Sequence, residues 1–356
     1  MKSRRIALLR DHMRRQGLDA FVVSSLFNIR FLTGFTGSYG LCVVGRKDLF
    51  FVTDSRYSLQ AREEVRGCRP IITTRGLYEA LDAYRLLRGC RTVGFEADVV
   101  TYAQYRVMRR GRIGESFIPL RDVVESIALV KEKKELECIR EAVRISDHTF
   151  DEILPSIRPG VTELEVAAEI SYCHKKLGAQ GDAFDPIVAS GERGAFPHAR
   201  ASAKKIKNRE MVVLDFGCTF GGYHSDITRT LAIGSVPPKA RRIYQTVLDA
   251  QLEAIGAARG GMIARDLDAV ARGRIAKEGY GEYFTHSLGH GLGMRLHERP
   301  RVSSLSKEPL NGGMVITIEP GVYLPGFGGV RIEDDVLLTS GGCEVLNRAP
   351  KQFMIV

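Results

Sequence analysis

Two neighbouring stretches, Val212-Val-Leu-Asp-Phe-Gly217 and Ser225-Asp-Ile-Thr-Arg-Thr230, carry the signal that decides the fold. The first is an apolar run of buried-strand type that ends in Asp215, and the second carries Asp226. Gly221-Gly222 lies between them and predicts a turn, so a strand–turn–strand brings both carboxylates together. An aspartate inside an apolar strand is costly unless it is paired or holds a cation. Taken alone, the two also read as ordinary turn aspartates with satisfied hydrogen bonds.

The same pattern recurs downstream. In Ser287-Leu-Gly-His-Gly-Leu-Gly293, glycines flank His290 and let backbone approach a bound group, although a glycine loop with an incidental histidine looks the same. Val315-Ile-Thr-Ile-Glu-Pro-Gly321 ends an apolar strand on Glu319, and Val330-Arg-Ile-Glu-Asp-Asp-Val336 puts Glu333 in a strand, with Arg331 a simple structural partner. Asp215, Asp226, His290, Glu319 and Glu333 together make four carboxylates and one imidazole. Buried side by side, the carboxylates repel one another and shift their pKa values upward. Two divalent cations remove that conflict. A set rich in oxygen, with one nitrogen and no sulfur, suits Mn²⁺ or Co²⁺, then Zn²⁺ or Fe²⁺. A carboxylate-bridged metal pair supplies a hydroxide nucleophile at neutral pH.

The rest of the chain frames this cluster. Its 356 residues allow two domains at about 150 residues each. Residues 4–16 predict an amphipathic helix capped at Gly17. Strands at Ala20–Ser24, Gly40–Val44 and Leu49–Thr53 and helices at Ser58–Arg66, Tyr78–Leu87 and Tyr102–Arg109 follow, with loops rich in Gly, Ser and Asn between the strands. From Val130 a long helical pattern runs to Leu154, and Thr162-Glu-Leu-Glu165 opens another helix as a capping box. A shift of 101 residues pairs Gly160 with Gly261, Val166 with Leu267, Ala168 with Ala269 and Gly178 with Gly279, a weak sign of duplication.

Charge divides the chain too. Residues 1–120 hold 21 Lys+Arg against 11 Asp+Glu, whereas residues 121–356 hold 31 of each, so the whole formal charge of +10 sits in the N-terminal third. We expect one domain over residues 1–124 and a catalytic domain over 125–356. The N-terminal arginines are scattered and match no nucleic-acid motif, which argues for a solvated or subunit-facing surface. Seven cysteines without a close pair point to a reducing cytoplasm and exclude a disulfide framework. No apolar run is long enough to span a membrane, and Arg10, Asp11, Arg14 and Arg15 interrupt any secretory signal.

Taken in order, these motifs resemble the pita-bread metallopeptidases, in the branch of aminopeptidase P and prolidase. Pro197-His198, Asp215-Phe-Gly217, Ser225-Asp-Ile-Thr-Arg-Thr230, Gly289-His-Gly291, Ile318-Glu-Pro-Gly321 and Arg331-Ile-Glu333 carry the likeness. Gly17-Leu-Asp-Ala-Phe21 and Asn28-Ile-Arg-Phe-Leu-Thr-Gly-Phe-Thr-Gly37 extend it to a creatinase-type N-terminal domain, which methionine aminopeptidases lack. Ala199 stands where the family usually has Gly, and Asn208-Arg-Glu210 replaces a usual Gly-Asp turn; neither touches an expected ligand.

The resemblance implies a small α/β domain followed by a pseudo-twofold α+β domain. It implies that Asp215 chelates one metal, that His290 and Glu319 bind the other, and that Asp226 and Glu333 bridge both. His198 and His297 would stabilise the tetrahedral intermediate and orient the peptide, and Glu319 would also move a proton towards the leaving amine. His224 and His286 are further candidates around the site. The activity implied is hydrolysis between an N-terminal residue and a following proline (an Xaa-Pro aminopeptidase), with an Xaa-Pro dipeptidase as the alternative. More remote are a metal-free creatinase-like amidine hydrolase and a non-enzymatic binding module, both opposed by retention of all five ligand positions. A homodimer acting on proline-containing peptides, with no nucleic-acid or membrane partner, completes the expectation.

Overall fold

Residues 2–110 and 115–356 are described by a computed structural model, without the side chains of Lys2 and Ser3. Contacts divide the chain into two units, Met1–Ala128 and Leu129–Val356. The cut expected after residue 124 falls inside helix α6 (Val123–Ala128), which packs on helices of the first unit and stays with it.

The first unit is a mixed sheet. Strands β1 (Ala20–Val23), β2 (Leu41–Gly45), β3 (Leu49–Asp54), β4 (Pro70–Thr73), β5 (Thr92–Glu96) and β6 (Ser116–Leu120) lie in the order β4-β3-β2-β1-β5-β6. β1, β2 and β3 form an antiparallel meander, while β4, β5 and β6 join parallel to their neighbours. The parallel joins follow from the helices, since parallel neighbours need a crossover. These include α1 (Lys2–Arg15), α2 (Leu26–Thr33), α3 (Ser58–Glu64), α4 (Leu77–Ala83) and α5 (Tyr102–Met108).

Helix α2 corrects an expectation, because the stretch from Ser24 and Ser25 through Asn28 reads as loop. Buried Glu96 accepts the backbone N–H groups of Ser24 (2.6 Å) and Ser25 (2.7 Å) just before the helix, and the side-chain amide of Asn28 (2.6 Å) within it. A carboxylate at a helix N-terminus satisfies free donors and favours the dipole.

The second unit is built twice. Helices α7 (Lys133–Ile153) and α8 (Glu163–Lys176), of 21 and 14 residues, are matched by α9 (Pro238–Ala257) and α10 (Ala264–Lys277), of 20 and 14. The glycines paired by the sequence repeat take equivalent backbone shapes: Gly160 and Gly261 have φ of 94° and 91°, and Gly178 and Gly279 have 97° and 82°. The capping box at Thr162 forms as expected, with its hydroxyl accepting from Glu165 N–H.

In the first half, β8 (Ile187–Ser190), β9 (Met211–Phe216) and β12 (Ile227–Ala232) form an antiparallel sheet. Beside it, β7 (Gly181–Asp182), β10 (Cys218–Phe220) and β11 (Tyr223–His224) form a small sheet that turns at Gly221-Gly222. In the second half, β13 (Gly289–Gly291), β14 (Glu298–Val302), β15 (Val315–Ile318), β18 (Asp334–Leu338) and β19 (Cys343–Val345) run in the order β14-β13-β15-β18-β19. A hairpin of β16 (Gly321–Leu324) and β17 (Gly328–Arg331) accompanies it.

An isolated bridge between Thr228 and Glu333 joins the halves. Arg229, 1% exposed, crosses the same seam and donates to Asp334 (2.7 Å) and to the carbonyls of Glu333, Ala349 and Pro350. A buried guanidinium is tolerable only with this many acceptors. Among the described residues no helix is long and apolar enough to cross a membrane.

Two glycines give opposite predictions. A Cβ on Gly217 would sit 1.9 Å from the Ser225 carbonyl oxygen, whereas one on Gly273, inside α10, meets nothing within 4 Å. Gly217→Ala should destabilise by about 1–3 kcal/mol through overpacking. Gly273→Ala should stabilise by about 0.5–1 kcal/mol through helix propensity. Thermal unfolding of the two variants checks both signs.

Candidate metal centre

The five expected ligands converge from both halves. Asp215 lies near the end of β9, and Asp226 immediately precedes β12. His290 is the middle residue of β13, and Glu319 follows β15. Glu333 is not inside a strand as expected; it sits between β17 and β18, held by the bridge to Thr228. One ligand atom each of Asp226, His290 and Glu333 lies within 4.8 Å of the others.

The His290 ring reaches the carboxylates of both halves, with Nε2 3.6 Å from Asp226 Oδ2 and 3.6 Å from Glu319 Oε1. Those separations are too long for hydrogen bonds. On the other side of the ring, Nδ1 is 3.0 Å from the Gly291 carbonyl. That carbonyl can only accept, so the proton sits on Nδ1 and the Nε2 lone pair faces the carboxylates, the arrangement a metal-binding imidazole needs.

Polar neighbours orient the carboxylates of Asp215, Glu319 and Glu333. Thr228 Oγ1 donates to Glu333 (2.7 Å), and Thr317 Oγ1 donates to Glu319 (3.3 Å). The backbone N–H of Asp226 donates to Asp335 (2.9 Å). Buried Arg331 donates to Asp215, not to its near neighbour Glu333. The same guanidinium donates to the Tyr323 hydroxyl (2.7 Å), Thr228 Oγ1 (3.1 Å) and the Pro197 carbonyl (3.2 Å). Sequence alone missed Tyr323 and Asp335, since neither stands in a motif that marks chemistry.

The electrostatics are those of acidic groups packed with the Arg331 guanidinium against them in its ion pair with Asp215. Burial, and then the charges of Glu333 and Asp215, push Asp226 well above the usual carboxylate range. Burial and Glu333 do the same to Glu319, and burial and Asp215 raise Glu333 to about 8. Burial also lowers His290 to about 4, so its ring is neutral.

The fit to a divalent cation rests on two orphaned atoms. Asp215 Oδ1 and Asp226 Oδ1 are buried with no hydrogen-bond partner. Buried carboxylate oxygens are normally satisfied, and a metal ion is the partner these two fit. Four carboxylates and a neutral imidazole form a donor set for divalent cations.

The other histidines divide. His198 and His297 are exposed; the His297 ring stands edge-on to His290 at 4.4 Å between centroids, and burial and then His198 lower its pKa. His286 shares the site, 4.0 Å from Glu319 and 2.8 Å from the Tyr323 hydroxyl, and burial lowers it to about 3. His224 pairs instead with Thr219 on the small sheet. Arg301 is the cross-strand partner of His290 in the β13–β14 register, and directly opposed residues share a sheet face. Its Nε donates to Ser287 Oγ (2.8 Å).

Two family models and several known proteins match this chain. The family model described as metallopeptidase family M24 matches residues 137–340, and that of the creatinase/prolidase N-terminal domain matches residues 5–130. The Xaa-Pro dipeptidase of Pyrococcus furiosus is 38% identical, over 98% of this chain and 99% of its own. The solved structure of an Xaa-Pro dipeptidase from Bacillus anthracis superposes with a TM-score of 0.97 at 40% identity, covering 100% of both chains. That of an X-Pro aminopeptidase from Thermotoga maritima gives 0.90 at 37% identity, covering 97% of this chain and 100% of its own.

The pKa shifts set a direction for stability. His286 and His290 are lowered in the fold, so their penalty is felt in acid and is gone above their unfolded pKa of about 6.5. A raised carboxylate is the reverse: the fold favours its protonated form, and stability is lost as pH climbs from about 4.5 to the folded value, about 8 for Glu333. Between pH 6.5 and 8, metal-free protein should therefore lose thermal stability. Added Mn²⁺ should raise the melting temperature, and by more at pH 8 than at pH 6.5. Calorimetric melting with and without metal checks this; a metal-free curve that rises across that window contradicts it.

Proposed function

The chain belongs to metallopeptidase family M24, and from that premise we propose that it is an Xaa-Pro dipeptidase. One observation carries the chemistry: the buried carboxylate oxygens Asp215 Oδ1 and Asp226 Oδ1 have no partners, and the free nitrogen of the His290 imidazole faces Asp226 and Glu319. The preference for dipeptides over longer peptides is supported by relatives and solved structures named Xaa-Pro dipeptidase or prolidase.

Asp215, Asp226, His290, Glu319 and Glu333 would hold two divalent cations, Mn²⁺ before Co²⁺, Zn²⁺ or Fe²⁺. When bound, such a pair supplies a hydroxide nucleophile at neutral pH and Lewis acidity at the scissile carbonyl. The chain's own residues do the rest. Glu319, held by Thr317, takes up the proton of the attacking water and delivers it to the proline nitrogen, which must be protonated to leave as an amine. Exposed His198 and neutral His297, the latter edge-on to His290, donate to the oxygen that gains charge as the carbonyl becomes tetrahedral. Arg301, on the face that carries His290, receives the free carboxylate that only a dipeptide presents there.

The metal-free amidine hydrolase is disfavoured, because it would leave Asp215 Oδ1 and Asp226 Oδ1 without a partner. A cytoplasmic homodimer remains our reading of the assembly, supported by seven free cysteines and by the family resemblance.

Two variants test this. Glu333→Ala should remove bound metal and abolish turnover while thermal unfolding stays cooperative; full activity would refute the ligand set. Arg301→Ala should lower kcat/KM for Xaa-Pro roughly 10–100-fold, mainly through KM, as loss of a charge-assisted bond predicts, and should affect Xaa-Pro-Xaa much less. If the native enzyme cleaves Xaa-Pro-Xaa faster than Xaa-Pro, the aminopeptidase reading replaces this one.

A further inference from the structure

His198 is carried by residues 191–201, a connection whose only regular structure is one 3₁₀ turn, Gly191–Ala195. An exposed histidine on such a segment is held only as well as its loop is tied. The ties converge on one side chain outside the cluster. Glu163, the first residue of α8, is fully buried. Its carboxylate accepts from the backbone N–H and hydroxyl of Ser190 (both 2.9 Å) at the start of the loop. It accepts from the N–H (3.1 Å) and hydroxyl (2.7 Å) of Ser202 at its end. It also accepts from Arg193 Nε (2.9 Å) within the loop, and Arg193 Nη2 donates onward to the Arg200 carbonyl (2.5 Å).

Both ends and the middle of one loop are thus fastened to a single carboxylate. A second tie comes from the metal side, where Arg331 donates to the carbonyl of Pro197, the residue before His198, and to Asp215. The loop backbone also packs directly on β17, with no room for a side chain: a Cβ on Gly329 would lie 2.1 Å from the Gly194 carbonyl oxygen.

A buried ionised carboxylate is no source of stability in itself, and an apolar replacement often serves the fold as well. What the charge adds is a fixed set of directions for its donors. We propose that Glu163 is a positioning residue for His198: the Glu163–Arg193 clasp sets the height and angle at which that imidazole meets the substrate carbonyl. The proposal rests on the role assigned to His198 above.

A double-mutant cycle tests it, with native enzyme, H198A, E163Q and H198A/E163Q loaded with Mn²⁺ and assayed on an Xaa-Pro dipeptide, and with bound metal measured for each. E163Q keeps the size of the side chain but turns an NH₂ group toward donors. It should lower kcat/KM roughly 10–100-fold, as loss of a supporting shell does, with metal content unchanged. In the H198A background the same change should cost little further activity, since nothing is left to position. Arg193 is one-third exposed, so R193A should fold and show a smaller loss of the same non-additive kind; it decides the matter if E163Q does not fold. Native kinetics in E163Q, or an equal loss in both backgrounds, would overturn the proposal while leaving the role of His198 intact. Full activity in H198A would overturn that role, and the purpose of the clasp with it.

Discussion

Four carboxylates share one small volume, and the second unit is organised around that constraint. Asp226, Glu319 and Glu333 are each held well above the usual carboxylate range, by burial and by one another's charge. The cationic side chain of Arg331 reaches this volume and donates to Asp215. The fold places the remaining charges one layer back. Asp334, next to Glu333, is neutralised by Arg229 and Lys351, so the anions at the centre are left for a mobile counter-charge. Divalent cations are that counter-charge in a family M24 metallopeptidase.

Duplication supplies the geometry. Each half offers a long helix, a 14-residue helix and an antiparallel sheet, and the Thr228–Glu333 bridge joins the two halves. Each shorter helix also buries one carboxylate that fastens a chain segment leading to the site. In α8 this is Glu163, with Arg193 as its helper. In α10 it is Asp268, which accepts from the backbone N–H of Leu288 (3.1 Å) and pairs with Arg272 (2.7 Å). Arg272 then donates to the carbonyls of Phe284 and His286, just before the strand that bears His290. The same device, a buried acid with an arginine that reaches a loop carbonyl, orders the approach to His198 in one half and to His290 in the other.

Much of this was legible in the sequence. The apolar runs that end on Asp215 and Glu319 announce themselves because burial of an acid breaks the local pattern, and the glycine repeat announces the duplication because positive φ leaves few other choices. What stayed hidden depends on partners far away in the chain. Arg331 reads as the mate of Glu333, two residues on, but its mate is Asp215, 116 residues away. Helix α2 reads as a loop because its first turn is completed by Glu96, some 70 residues later. Glu163 reads as a capping-turn acid, and only the fold reveals that Ser190, Arg193 and Ser202 all donate to it. The place of Arg301 is likewise a matter of register, since it stands opposite His290 only when β14 is laid against β13.

The central claim, that this acid cluster exists to bind divalent metal, is tested most directly by calorimetric titration of Mn²⁺ into metal-free protein at pH 7, in two buffers of different ionisation enthalpy. The account predicts two cations per chain and net release of protons, because carboxylates that hold protons in the metal-free fold must give them up to bind metal. Fewer than one cation per chain, or binding with no proton release, would contradict it.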